Sequence, residues 1–130
     1  MIDFVDLNNN PVDTTKDTAD GYMNAKVTVD GKTKQIVFKS IALGKEAIWG
    51  RADNEFLIFE FKTLSEGKHE LNKESSVTVS FQNGGEHSFG VGKLEVKNYV
   101  ELVKAVGTFD FTQNISGKDY KVEGSFDLTK

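Results

Sequence analysis

Thr108-Phe109-Asp110-Phe111-Thr112-Gln113, followed by Tyr120-Lys121-Val122-Glu123-Gly124-Ser125-Phe126-Asp127-Leu128, decides the fold class. In the first stretch Phe109 and Phe111 alternate with Thr108, Asp110 and Thr112. In the second, Tyr120, Val122, Gly124, Phe126 and Leu128 share one face and Lys121, Glu123, Ser125 and Asp127 the other. Period-2 alternation is the signature of a strand with one buried face. Two such strands joined by the short loop Asn114–Lys118, which holds Gly117, form an antiparallel hairpin. Gly124 interrupts the apolar face, which calls for a bulge or a close contact with a ring.

The same period extends upstream. Ala25, Val27 and Val29 alternate, Asp30-Gly31 turns the chain, and Lys34–Ser40 returns with Ile36 and Phe38 inward. Ala47–Arg51 is a short strand, and Asp53-Asn54 turns into Glu55–Lys62. Leu57, Phe59 and Phe61 lie on one face of that strand and Phe56 and Ile58 on the other, as in a strand covered on both sides. Ser65-Glu66-Gly67 leads into Lys68–Asn72, read as an edge strand, and Val77, Val79 and Phe81 alternate next. Asn83-Gly84-Gly85 is the strongest local hairpin signal, returning through Glu86–Gly92 and Lys93–Tyr99. Tyr99–Val106 fits both a short helix and a strand; its β-branched content favours the strand.

About nine strands at spacings of about ten residues predict an all-β chain, an antiparallel β-sandwich with a lipocalin-like β-barrel as the alternative. Residues 1–20 stand apart. They hold a possible short strand at Ile2–Leu7, the single Pro, and a stretch from Asp13 to Asp20 built almost wholly of Asp, Thr and Lys. This segment is expected to be polar and mobile, with residues 21–130 forming one domain.

Composition excludes several classes. Sixteen Lys and Arg against twenty Asp and Glu give a net charge of −4, with no basic run, which argues against nucleic acid as a partner. No apolar run nears the roughly 18 residues of a spanning helix. Met1-Ile2-Asp3-Phe4-Val5-Asp6 lacks the basic and apolar regions of a secretory signal. The expected compartment is therefore the cytoplasm, or the envelope if a leader has been trimmed. Without Cys there are no disulfides, thiolate nucleophiles or Cys-type zinc sites.

A resemblance rests on Gly67-Lys68-His69-Glu70-Leu71, Gly92-Lys93-Leu94-Glu95-Val96, Gly107-Thr108-Phe109-Asp110-Phe111, Gly117 and Gly124-Ser125-Phe126. In this pattern the chain resembles a family of small bacterial envelope lipoprotein β domains of unassigned function. The resemblance covers about two-thirds of the sequence and implies a sandwich-like or barrel-like fold. It carries over no catalytic residue, and the lipid-attachment Cys of that family is missing here.

The side chains that carry chemistry are few. His69 and His87 each sit beside a Glu, but adjacent strand residues face opposite ways, so neither pair makes a clamp. Asp13, Asp17 and Asp20 lack the spacing of a calcium loop. No Ser occupies a Gly-x-Ser-x-Gly elbow, and the glycines at 84–85, 90 and 92 do not open a helix that would cradle phosphate. Trp49 with Arg51 is the candidate ligand-binding pair, an indole and a cation suited to stacking on a sugar or an aromatic group; against it stands packing of Trp49 in the core. The expected function is a non-enzymatic binding or interaction module for a protein or glycan, using loops or a sheet edge. A barrel-type carrier of a small apolar ligand is the alternative. No catalytic residue, metal or cofactor is expected.

Overall fold

The computed structural model describes residues 4–7, 10–13, 15–83 and 88–130. It is all-β, with ten strands: β1 Asp20–Val29, β2 Lys32–Val37, β3 Ser40–Leu43, β4 Ala47–Arg51, β5 Glu55–Phe61, β6 Gly67–Leu71, β7 Val77–Asn83, β8 Val91–Val100, β9 Lys104–Ile115 and β10 Lys118–Thr129. No helix among the described residues is long and apolar enough to cross a membrane.

The strands make one sheet in the order β2-β1-β10-β9-β8-β6-β7-β5-β4-β3. This corrects the expectation of two facing sheets, and the sheet does not close into the alternative barrel either. Alternation reports that a face is covered, not what covers it. Here the sheet rolls over and its concave face covers itself. The turn from β2 to β3 shows the roll, since only Phe38 and Lys39 separate the two outermost strands. Phe38 N–H donates to Met23 O at 3.0 Å on the β1 side, and Lys39 N–H to Arg51 O at 2.9 Å on the β4 side. The outer edge of β3 is taken by the lead-in to β1, through Ala19 N–H to Ile41 O and Leu43 N–H to Asp17 O, both 2.9 Å.

Two of the three predicted hairpin turns form, and the one expected at Asn83-Gly84-Gly85 does not join neighbouring strands. Asp30-Gly31 and Ser116-Gly117 have φ of 53° and 75°, and 53° and 83°, the paired left-handed residues of tight two-residue turns. The loop expected over Asn114–Lys118 thus shrinks to Ser116-Gly117, because β9 and β10 stay paired up to Ile115↔Lys118. Tyr99–Val106 is not helical; it is the end of β8, a turn, and the start of β9. Lys68–Asn72, read as an edge, gives β6, which lies between β8 and β7. It touches β7 through one parallel pair, Leu71↔Val77, so its polar pattern reads as exposed even though it is internal. Gly84, Gly85, Glu86 and His87 lie outside the described residues, and β7 and β8 on either side of them are not neighbours.

Close approach between glycine and phenylalanine attends the curvature. Gly124 is paired with Phe109, Gly107 with Phe126, and Gly92 with Phe111. A Cβ on Gly124 would lie 2.9 Å from Phe109 Cζ and 2.1 Å from the backbone oxygen of Asn24; one on Gly107 would lie 2.8 Å from Phe126 Cζ. The rings thus fold over bare backbone, the arrangement that lets a sheet curl tightly. Phe59 completes the cluster, 5.3 Å from Phe109 and 5.9 Å from Phe126 between centroids.

On the side away from β5, β7 is paired with β6 at one residue, and further bonds stitch the seam. Gly90 N–H donates to Val79 O at 2.9 Å. The buried Gln113 amide accepts from Phe81 N–H at 2.8 Å and donates to Phe81 O at 2.7 Å, imitating a strand residue. Gln113→Leu leaves both Phe81 groups without a partner, and urea denaturation should show a loss of roughly 2–4 kcal/mol. Gly124→Ala forces a methyl onto the Asn24 carbonyl and should cost about 1–3 kcal/mol in the same measurement.

Candidate functional site

The predicted pair Trp49 and Arg51 lies on β4, and the structure surrounds it with the chain's own aromatic residues. Trp49 is 5% exposed and packs with Ala42, Phe56 and Ile58 on the outer face of β3, β4 and β5. Phe4 covers this patch, stacked on Phe56 at 4.8 Å, and the Arg51 guanidinium stands 5.9 Å from the Phe4 ring centre. The N-terminal segment is tied down by the buried Gln82 amide, which brackets the Val5 backbone, and by Glu60, which accepts from Leu7 N–H at 2.7 Å. This cover explains why β5 is apolar on both faces: Leu57, Phe59 and Phe61 face the rolled core, while Phe56 and Ile58 face the N-terminal segment.

The other sequence candidates are scattered. His69 lies on β6 with Nε2 2.7 Å from Ser65 O, and His87 is outside the described residues. Asp13 bonds Thr15, whose hydroxyl and backbone N–H hold its carboxyl below the usual carboxylate range. Asp17 meets Lys130 Nζ at 2.8 Å, and Asp20 opens β1. Among the described residues no three His, Asp or Glu gather as metal ligands.

The candidate site is one that sequence reasoning did not locate: the free edge of β2. β2 continues the line of β3, but β4, the neighbour of β3, stops at Arg51. β2 therefore pairs only with β1. The two-residue turn makes Val29 and Lys32 a hydrogen-bonded pair, so Lys32, Lys34 and Ile36 bond to β1. The Phe38 to Met23 bond keeps that parity. Thr33, Gln35 and Val37 point their N–H and C=O groups the other way, as Lys39 does, with no β4 residue to meet them.

Beside this edge, at the open end of the roll, lies an apolar hollow of about 140 Å³. Val27, Val29, Ile36, Phe81 and Tyr120 line it, with Asn83 at the rim. Two ion pairs span the gap: Lys34 to Glu55 at 2.7 Å and Lys39 to Asp53 at 3.2 Å. Glu55 is nearly buried and Lys34 largely exposed, so the first pair acts as a latch anchored on the β5 side. Lys32 has no ion-pair partner among the described residues. The signal for this site was present in part, in the Asp30-Gly31 turn and the Lys-rich strand after it. The early end of β4 beside β2 was not.

A second groove, of about 340 Å³, lies by the N-terminal segment and contains Glu46, Glu60, Lys62 and Lys73. Burial pushes the Glu60 carboxyl above its ordinary value; the Leu7 N–H bond works against this, and the Asp6 carboxylate adds to it.

No protein-family model, curated protein or solved structure matches this chain.

Because Glu60 holds its proton more tightly when folded than when unfolded, the folded state binds more protons over the interval between the two values. Its contribution to stability therefore falls as pH rises through the region just above the ordinary Glu value. Glu60→Gln should remove that slope. Thermal midpoints of the two proteins, compared across mildly acidic to neutral pH, should diverge upward with pH in favour of Glu60→Gln.

Proposed function

We propose that this protein is a non-enzymatic binding module that takes up an extended segment of a partner protein along the free edge of β2. One observation carries the reading: Thr33, Gln35 and Val37 present backbone groups that no described residue pairs, beside an apolar hollow. Strand addition draws affinity from main-chain hydrogen bonds and specificity from pockets for alternate side chains. The hollow accepts one apolar side chain of the incoming strand. Lys32 favours a carboxylate in the same strand, and lysines on an edge discourage indiscriminate sheet growth. The segment that fits is thus extended, alternating apolar and polar, with at least one acidic residue.

The carrier reading has less support. A pocket for a small apolar ligand has about 300 Å³ or more, whereas the hollow has about 140 Å³ and the core behind it is filled with phenylalanine. The likeness of the Gly107–Phe111 and Gly124–Phe126 strands to bacterial envelope lipoprotein domains belongs to the same proposal, and would put the partner in the envelope.

Selection from a random peptide-display library on the wild-type protein tests the reading. Gln35→Pro removes an outward donor without touching the β1 ladder, and edge strands tolerate Pro at such positions. Alternating apolar–acidic peptides should be enriched and should lose binding to Gln35→Pro, whose far-UV spectrum stays unchanged. Failure to enrich any sequence, or equal binding to both proteins, would overturn the proposal.

A further inference from the structure

The outer face of the sheet carries a second site, which meets the β2 edge at the Gln35 side chain. An open groove of about 570 Å³ crosses β2, β1, β10, β9, β8 and β6. Its volume is that of an ordinary small-ligand site. The sheet is convex around the roll, and strand twist hollows a rolled sheet along its other direction.

Two rows of cross-strand neighbours run along it. In the first, Gln35, Lys26, Glu123, Asp110 and Lys93 follow one another across successive strands. In the second, Asn24, Ser125, Thr108, Glu95 and Lys68 do the same. All stand on strands, so their spacing is fixed at about 4.8 Å from one strand to the next. Every lysine in the groove faces a carboxylate in the ladder: Lys26 opposite Glu123, Lys93 opposite Asp110, Lys68 opposite Glu95. Yet only Lys26 comes within ion-pair distance, at 3.9 Å from Glu123. The ammonium and carboxylate heads of the other two pairs remain open to a ligand.

The charges balance, three lysines against Glu95, Asp110 and Glu123. A balanced groove gives no net attraction to polyanions and no cation cage. In the first row the cationic donors Lys26 and Lys93 flank the carboxylate acceptors Glu123 and Asp110, and in the second Glu95 stands beside Lys68, so strong donors and acceptors are mixed at fixed intervals along a length of roughly 24 Å, five inter-strand spacings. A neutral chain of hydroxyl-bearing rings, in which each hydroxyl both donates and accepts, satisfies that pattern along its length. We propose that this outer groove binds a neutral oligosaccharide, held by hydrogen bonds from Lys93, Asp110, Thr108 and Glu95. The aromatic ring in the groove lining, Phe109, is 4% exposed and offers no platform. Recognition therefore rests on polar contacts and is weak for a single chain.

Amide-resolved NMR titration of the whole protein with maltohexaose, cellohexaose, chitohexaose and xylohexaose tests this. At least one should shift amides of β8, β9 and β10 at millimolar concentration, with an affinity that high salt leaves unchanged, because the ligand is uncharged. Asp110→Ala and Lys93→Ala lie on the exposed face and should keep the fold, each weakening binding about five-fold, the worth of one hydrogen bond. Three outcomes would overturn the proposal: no hexasaccharide shifts these amides, the affinity is unchanged in both variants, or only an acidic hexamer of galacturonate binds, with an affinity that salt abolishes.

Discussion

A single sheet that must cover its own concave face needs to bend more sharply than side chains on every residue allow. The pairing of Gly124 with Phe109 and of Gly107 with Phe126 meets that need twice over, because each removes a Cβ and lays a ring in its place. The two strands exchange roles: each supplies one glycine and one ring to the other. That reciprocity keeps β9 and β10 in register through twelve paired residues, and it places Phe109 and Phe126 against Phe59 from the far wall of the roll. The core is built around this contact. Where the roll is complete the interior is filled, and where it stops short the hollow beside β2 opens.

Two glutamines solve the remaining problem, which is that a rolled sheet with strands of unequal length leaves backbone groups unpaired. Buried unpaired amides are costly. Gln113 supplies a primary amide where β7 lacks a neighbour, and Gln82 does the same for Val5 on the outer face. In each case the side chain presents one donor and one acceptor, the same pair a strand residue would present. Ser80 is the one described buried side chain whose oxygen finds no partner in the structure. It sits on β7 two residues before Gln82.

The sequence was legible wherever a local pattern determines a local structure. Asp30-Gly31, Gly117 and the alternation from Thr108 to Leu128 read correctly as hairpins because turn chemistry and period 2 act over a few residues. The architecture did not read, because two sheets facing each other and one sheet facing itself impose the same alternation. Lys68–Asn72 was misjudged for a related reason: hydrogen-bond position and side-chain exposure are separate properties, and only exposure leaves a mark in composition. Gln113 does leave a signal in the sequence, a polar residue at the next step of the Phe109–Phe111 face. Trp49 and Arg51 lie two residues apart on β4, and what stands over them is Phe4, which lies far from them in the chain and in no shared pattern. The β2 edge depends on how far β4 reaches beside it, which no window of sequence contains.

The β1–β10 ladder joins Asp20 to Thr129. During synthesis the β1–β2 hairpin leaves the ribosome before the other strands, and its β1 edge has no strand partner until β10 has emerged. Such long-range pairing makes folding slow, since the loop-closure entropy comes due before the contacts that offset it. Until β10 has emerged the hairpin is therefore an open ribbon with exposed Val and Phe. The lysines of β2 stand along that ribbon's outer margin throughout, and discourage neighbouring nascent chains from pairing with it.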